Sequence, residues 1–450
     1  MTQATFARSA RHARDENVPA PDLLRPARRP GGHPRHQAEP QAVSPISIAI
    51  LCVVAFLICW SPNQRYIALA LVAAITVSGR IPRLGTPDVL ALILAVWVVA
   101  TLGWTPNVDV TLPSVYLYGA CCLLFLAVRH LVTTRRSLLA VGGAYLVGCV
   151  IRAVQLIAES LAAGAPARGG ALDLNVRYGI EGYNINFTAY SLVTGCVLAI
   201  VVTNVSGLPR LIKLGIYAML PVLAYAVLLS GTRGALVALG GAAICLVVGR
   251  LMPRLCALIA AAAAPVALAL VPLGITESAL LWFESYLGQR TTGDLSGRLV
   301  VWPEALAAWS DSLFLGNGPG VFPISNSMGI GAHNLVLTVG NDLGLLGLLI
   351  YVAVVASALA VAWLRSASGP RLVSVFLIAL LPIWLTGHWE VAMGFWLLLA
   401  AVSVFPSAAA APSGVRQRAA VPTRGTAVGQ LRQPVGFDAG VNPRVSIPAP

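Results

Sequence analysis

The sequence predicts an all-α membrane protein that crosses the bilayer about twelve times, with both termini cytoplasmic and a large external loop between spans 9 and 10. Of its 450 residues, 57% are hydrophobic and only 10% are charged, and the mean hydropathy is +0.80. Soluble proteins carry about 25% charged residues, so most of this chain is suited to lipid. Two further observations support the prediction: long apolar segments, and an alternation of positive charge between them.

Twelve apolar segments follow one another between residues 44 and 406. Most have the length of about 20 helical residues that crosses a hydrocarbon core of roughly 30 Å. Lipid leaves backbone groups unsatisfied in anything but helices and closed barrels, and segments this long and apolar are not barrel strands. The segments lie at 44–61, 64–80, 87–104, 113–129, 137–158, 186–204, 211–230, 234–250, 255–275, 334–364, 371–387 and 389–406.

Positive charge is concentrated in every second connection. Cytoplasmic loops are enriched in Lys and Arg, so the even-numbered connections are predicted to be cytoplasmic. An even number of spans then places both tails inside; residues 1–43 and 407–450 have no apolar core and are predicted to be disordered. The cations of the even connections are Arg80, Arg83, Arg129, Arg135, Arg136, Arg210, Lys213, Arg250, Arg254, Arg365 and Arg371.

Composition argues against two other classes of protein. The net charge of +13 would suit nucleic acid if the cations shared one face, but they are spread over loops and tails, where anionic membrane lipids are the expected partners. All eight Cys fall in predicted spans, without a CxxC motif or a Cys/His cluster. We therefore expect no nucleic-acid partner, no disulfide framework and no metal site.

Two external connections are long enough to handle a substrate, at 159–185 and 276–332. Segments 281–290 and 298–314 within the second are amphipathic rather than wholly apolar. They predict short helices on the membrane surface, with tryptophans such as Trp302 at head-group depth. The alternative is that this loop only covers the external end of the bundle and has no functional role.

Arg233 is the most informative external cation. It lies in the sequence SGTRGALVALG (230–240), in a connection so short that its guanidinium must be at the membrane boundary. Ser230 or Thr232 is expected to cap the next helix, whose N-terminus adds N–H groups and a partial positive charge. Arginine beside a helix N-terminus suits a phosphate group. The alternative is an interfacial arginine that reaches to water.

His333 is the second candidate, at the mouth of the tenth span. Of the six histidines, only His333 and His388 are predicted to face outside. An imidazole there can act as a general base near neutral pH, although a histidine at a helix entry also fits. His388 lies two residues before Glu390, and its role is either structural or functional.

Two charged residues fall inside predicted spans, where charge is expensive. Arg152, in the fifth span, either faces a cavity or pairs with Glu159 two turns later. Asp342, in the tenth span, either pairs with an arginine or takes part in catalysis.

Three of these segments occur in an order that resembles the O-antigen ligase and polymerase superfamily of bacterial envelope proteins. The superfamily pattern is a Ser-x-Ser/Thr-Arg-Gly turn, a large external loop with Arg-x-x-x-Trp and a Gly-x-Gly turn, and a His-Asn pair opening the next helix. An acid and a Gly-rich helix then follow, and an Asn marks the entry to the sixth span. The matching residues are Ser230, Thr232, Arg233 and Gly234; Arg298 and Trp302; Gly316, Gly318 and Gly320; His333 and Asn334; Asp342, Gly344 and Gly347; and Asn184 or Asn186.

The resemblance implies a GT-C-like glycosyltransferase without metal or other cofactor, acting on the external face of the cytoplasmic membrane. Its donor would be a glycan on a polyprenyl diphosphate, and its acceptor a hydroxyl of a glycan, lipid or protein. The catalytic residues it implies are Arg233 and Arg298 on the diphosphate and His333 as the base. The substrate-binding residues would be Arg177, Asn186, Thr232, Trp302 and Asn334.

Two rival functions remain at this point. A transporter or flippase would have charged or broken helices near the midplane, whereas here the polar residues concentrate at the outer boundary, apart from Arg152 and Asp342. A non-catalytic membrane scaffold would leave the external arginines and histidine without a role.

Overall fold

The computed structural model describes residues 43–60, 66–164, 177–270, 298–387 and 389–409. This part of the chain is helical and contains no strand, which confirms the all-α prediction. Residues 1–42, 165–176, 271–297, 410–450 and His388 lie outside the described residues, so the predictions made for them stay predictions. The predicted loop from 159 and tail from 407 begin later than expected, because helices continue to Ala162 and Ala409. The helices are α1 (Pro45–Trp60), α2 (Ile67–Val77), α3 (Thr86–Ala100), α4 (Val108–Leu131), α5 (Arg135–Ala162), α6 (Ile185–Thr203), α7 (Arg210–Ser230), α8 (Arg233–Leu251), α9 (Pro253–Leu270), α10 (Arg298–Asp311), α11 (Phe322–Ser325), α12 (Leu335–Arg365), α13 (Gly369–Thr386) and α14 (Met393–Ala409).

Eight helices within the described residues are long and apolar enough to cross a membrane: α3 with the 3-10 turn after it, α4, α5, α6, α7, α8, α12 and α13. Four shorter apolar helices, α1, α2, α9 and α14, fall on the remaining predicted segments. A multi-pass membrane protein is thereby supported. The count of twelve spans and the side on which the termini lie stay predictions.

Helix α6 lies at the centre of the bundle. All of its residues from Thr188 to Thr203 are buried, whereas α7 and α8 bury only a minority of theirs. The core beside it is filled by large aromatic side chains, and Trp389, Trp396 and Phe395 are almost fully buried. A helix surrounded by protein on every side gives fixed positions to the residues at its two ends.

One end of the bundle brings together helix termini that are far apart in the sequence. This end holds the N-termini of α6, α8 and α12 and the C-termini of α7 and α13. The turn between α7 and α8 is only Gly231 and Thr232, and Gly231 takes the left-handed conformation, φ 55°, that ends a helix without a Cβ clash. Every candidate site residue described lies at this end.

Helix α12 is broken, which the sequence did not predict. Gly344 has φ 68° and ψ −176°, and the loop after α10 enters the break. Loop N–H groups of Asn317 and Gly318 donate to the carbonyls of Asn341 and Asp342 over 2.7 and 3.1 Å. In the other direction, the N–H of Leu345 donates to Leu313 over 2.8 Å. Irregular backbone at membrane depth is tolerated where protein satisfies its polar groups, and this loop does so.

Candidate functional site

A cavity of about 1140 Å³ opens at the end of the bundle just described. Its walls come from α4, α5, the first turn of α6, the end of α13 and the connection that follows. Arg152, Asn186, Tyr190, His333 and Thr386 are among the residues that line it. Two of the site residues predicted from the sequence, Asn186 and His333, therefore line one cavity together with Arg152, which lies inside a predicted span.

Arg177, Asn186 and Thr232 form one hydrogen-bonded cluster beside this cavity. The Arg177 guanidinium donates to Asn186 Oδ1 and, over 3.3 Å, to Thr232 Oγ1. Its Nε donates to the carbonyl of Ser230 over 3.3 Å. The Thr232 hydroxyl donates to Asn186 Oδ1 over 3.3 Å. Three residues expected to bind substrate are thus brought together from the segment before α6, from α6 and from the turn between α7 and α8.

Of the two residues expected to cap α8, Ser230 or Thr232, Thr232 does not do so with its side chain. Thr232 occupies the N-cap position of α8, but its side chain makes no capping hydrogen bond. The Ser230 hydroxyl oxygen instead accepts from the N–H of Thr232 over 3.2 Å. Because Asn186 and Arg177 engage the Thr232 hydroxyl, it is turned away from its own helix.

Arg233 is half-buried and is the first residue of α8. The next residue, Gly234, packs so closely that a Cβ there would lie 2.5 Å from Thr386 Oγ1 and 3.0 Å from Tyr190 Oη. Both of these side chains line the cavity. The N-terminus of α8, with its partial positive charge, therefore lies directly behind two side chains of the cavity wall. Tyr190 and Thr386 were missed by sequence analysis, because a hydroxyl at the end of an apolar helix carries no distinctive signal.

His333 has a backbone conformation that marks it out. Its φ of 50° is the only positive φ of a non-glycine residue in the described part of the chain. Neighbours fix it on both sides: the indole N–H of Trp302 donates to the carbonyl of Ala332 over 2.8 Å, and Asn334 Oδ1 accepts from the N–H groups of Val336 and Leu337. Left-handed conformations persist where the surroundings determine them, and they cluster at functional sites.

These hydrogen bonds also define the structural roles of Trp302 and Asn334. Both are buried, at 5% and 0% exposure. Asn334 is the N-cap of α12 and Trp302 fastens α10 to the start of that helix. Their side chains therefore position His333 in this structure, and a direct contact of either with substrate stays a prediction.

Arg298 is the first residue of α10, one helical turn before Trp302. Its side chain lies outside the described part of the structure. The helix itself is fixed by Trp302 and by Asn341, whose Nδ2 donates to the carbonyl of Ala305 over 2.8 Å. Glu304 accepts from the hydroxyl and the N–H of Ser327, and these hydrogen bonds lower the pKa of Glu304 by stabilising its carboxylate.

Asp342 does not pair with an arginine among the described residues. Its carboxylate accepts from the Tyr118 hydroxyl and from the N–H of Gly320, each over 3.3 Å. Asp342 and Glu390 both line a second, smaller cavity of about 100 Å³. Asp342 thus ties the inserted loop to α4, which is a structural role.

The comparison with known families agrees with the order of the motifs. A family model described as O-antigen ligase matches residues 218–352, a range that contains the turn with Arg233, the start of α10 and His333. The chain has no significant match among curated proteins. The resemblance to the O-antigen ligase and polymerase superfamily is confirmed over this range, and it supports a multi-pass bacterial membrane enzyme that transfers glycosyl groups.

Proposed function

We propose that this protein transfers a glycan from a polyprenyl-diphosphate carrier to an acceptor hydroxyl at the external face of the cytoplasmic membrane, with inversion at the anomeric carbon. The acceptor is a hydroxyl of a glycan, a lipid or a protein. One observation carries the proposal: His333, held in a left-handed conformation, lines the same cavity as Asn186, which is bonded to Arg177 and to the turn before Arg233.

The donor diphosphate is assigned to the cationic cluster beside this cavity, next to Asn186. Arg233, the N-terminus of α8 and Arg177 come from adjacent segments there, and Arg298 begins the helix attached to the His333 segment. Guanidinium groups bind phosphate oxygens through paired, charge-assisted hydrogen bonds. Asn186 and Thr232 hold Arg177 in place for this task.

In the proposed reaction, the acceptor oxygen attacks the anomeric carbon and forms the new C–O bond. The bond between that carbon and the diphosphate oxygen breaks, and its electron pair leaves with the polyprenyl diphosphate. Arg233 and Arg298 stabilise the negative charge that develops on the leaving group. The acceptor proton passes to His333, whose imidazole works near neutral pH.

The proposal is tested in cells that carry the wild type or the variants Arg233→Ala, Arg298→Ala and His333→Ala at matched expression. Each variant is expected to accumulate lipid-linked glycan and to deplete the surface product, because the transfer step is blocked while the donor is still supplied. Mass spectrometry of the stalled lipid identifies the glycan.

Two variants serve as matched controls. Arg365→Ala removes an arginine at the opposite end of α12, and His130→Ala removes a histidine at the last turn of α4. Both are expected to behave as wild type. If the three site variants also behave as wild type, the transferase assignment fails. If the stalled donor stays in the cytoplasmic leaflet, the protein is a flippase.

A further inference from the structure

Arg152 is a buried arginine that the proposed reaction does not use. It lies in α5, is 3% exposed and lines the large cavity. Its Nη1 donates to the carbonyl of Cys59 at the end of α1, and its Nη2 donates to the Thr188 hydroxyl over 3.1 Å. The guanidinium carbon lies 3.8 Å from the ring centroid of Tyr183, another cavity residue.

The positive charge of Arg152 lacks an anionic counterpart among the described residues. Arg152 and Glu159 form no ion pair in the described part of the chain, and Glu159 accepts a hydrogen bond from Gln155 over 3.1 Å. The Arg152 Nε has no hydrogen-bond partner in the described part of the chain. A buried charge is costly unless an opposite charge compensates it, and a charge inside a membrane span is a sign of function. The cavity beside Arg152 is the place from which an anion can supply that compensation.

Arg152 is separated from the cluster that we assign to the diphosphate. Arg152 is bonded to Thr188, and Arg177 is bonded to Asn186, in the first turn of α6. Residues two apart on a helix do not share a face, because each residue adds about 100° of rotation. The two arginines therefore contact different faces of α6, and on this ground we distinguish a ligand group at Arg152 from the diphosphate.

We propose that Arg152 recognises an acidic sugar, one that bears a carboxylate, in the glycan that this cavity binds. This inference rests on the proposed transfer function and names a class of substrate for it. The tyrosine and other aromatic side chains around Arg152 suit the apolar faces of sugar rings, and its guanidinium forms charge-assisted hydrogen bonds with the sugar anion. The acidic sugar belongs either to the donor or to the acceptor.

The test measures affinity with the full chain in lipid nanodiscs. The donor probes are farnesyl-diphosphate disaccharides with glucuronate at the first or the second sugar, and the matching compound with glucose at both. The acceptor probes are methyl glucuronoside and methyl glucoside. The wild type is expected to bind one acidic probe roughly tenfold or more tightly than its neutral match, as charge-assisted hydrogen bonds imply. Which pair shows the difference tells whether donor or acceptor carries the acid.

Arginine variants connect this preference to the residue. Arg152→Gln is expected to remove most of the preference, Arg152→Lys to retain part of it because the charge remains, and Arg365→Gln, at the far end of α12, to leave it intact. Equal affinity of the wild type for acidic and neutral probes overturns the proposal even if every variant at 152 fails to fold. An equal loss for acidic and neutral donors in Arg152→Gln also overturns it, since the residue would then bind the diphosphate.

Failure of this inference is distinguishable from failure of the transfer function. If the wild type binds none of the donors and Arg233→Ala changes nothing, the proposed function is wrong. If donors bind, transfer depends on His333 and acidity makes no difference, the transfer function stands and only the role of Arg152 is wrong.

Discussion

The indole N–H of Trp302 donates a 2.8 Å hydrogen bond to the carbonyl of Ala332, the residue before His333. This bond connects α10, which begins with Arg298, to the segment that holds the proposed base. Asn334 secures the other side of His333 by capping α12. Trp302 bonds to the residue before His333. It can therefore control the position of the imidazole without contacting a reacting atom.

The first prediction concerns Trp302→Phe, which keeps an aromatic ring but leaves the carbonyl of Ala332 unsatisfied. An unsatisfied buried acceptor costs about 1–3 kcal/mol, and relaxation of the His333 segment is the way to relieve that cost. We expect kcat to fall about tenfold with little change in donor KM. The matched control is Trp309→Phe on the same helix, which loses an indole bond to the carbonyl of Leu313 rather than to the His333 segment. Equal effects of the two variants would contradict the positioning role.

The second prediction concerns the break in α12. A Cβ on Gly344 would lie 2.2 Å from the carbonyl oxygen of Phe314, and the residue has φ 68°. Gly344→Ala is therefore expected to destabilise the protein by about 2–4 kcal/mol, from backbone strain and the clash together. Thermal unfolding in detergent measures this. Gly240→Ala on α8, where a Cβ meets open space, is expected to change stability by less than about 1 kcal/mol.

The sequence predicted the helices and the end of the bundle that carries the site, but not the contacts inside it. Apolar length and the distribution of arginine indicate spans and sides, and both are properties of a linear chain. The break at Gly344 was missed because LGLLGLL reads as continuous apolar helix; only the loop inserted from 313–318 stabilises it. Local propensity favoured Ser230 or Thr232 as the cap of α8, and the Thr232 hydroxyl bonds to Asn186 instead.

The bonds among Arg177, Asn186 and Thr232 lead to a third prediction. Asn186→Ala removes the acceptor that both Arg177 and Thr232 use, so the guanidinium is free to leave the diphosphate site. We expect donor KM to rise about fivefold to tenfold and kcat to change less, because binding of the ground state and transition state weakens together. Steady-state kinetics with a fixed acceptor measure both constants.

A hydroxyl variant tests the same cluster with a smaller change. Thr232→Val removes the hydroxyl that bonds to Asn186 and Arg177, and is expected to raise donor KM less than Asn186→Ala does. Its matched control is Thr76→Val on α2, whose exposed hydroxyl bonds only to the carbonyl of Val72. If Thr76→Val and Thr232→Val give the same KM, the cluster has no role in donor binding.

The last prediction concerns pH and Glu390, in the connection between α13 and α14. Burial raises the pKa of Glu390 to about 7 from an ordinary value of 4.5. Asp342, Tyr118, Tyr351 and Cys121 are among its neighbours, and the pKa of Glu390 is raised chiefly because burial disfavours the charged carboxylate. Between pH 4.5 and 7 the folded protein holds a proton that the unfolded chain has lost, so the free energy of unfolding must decrease as pH rises through this window.

The decrease is expected to amount to as much as about 3 kcal/mol and to level off above pH 7. The measurement is the midpoint of thermal unfolding of the detergent-solubilised protein at pH 5 and pH 8. Glu390→Gln resembles the protonated acid at every pH, so its midpoint should differ less between the two conditions than that of the wild type. An identical pH dependence in both proteins would mean that Glu390 is not the group that titrates, because its removal would then have left the proton linkage unchanged.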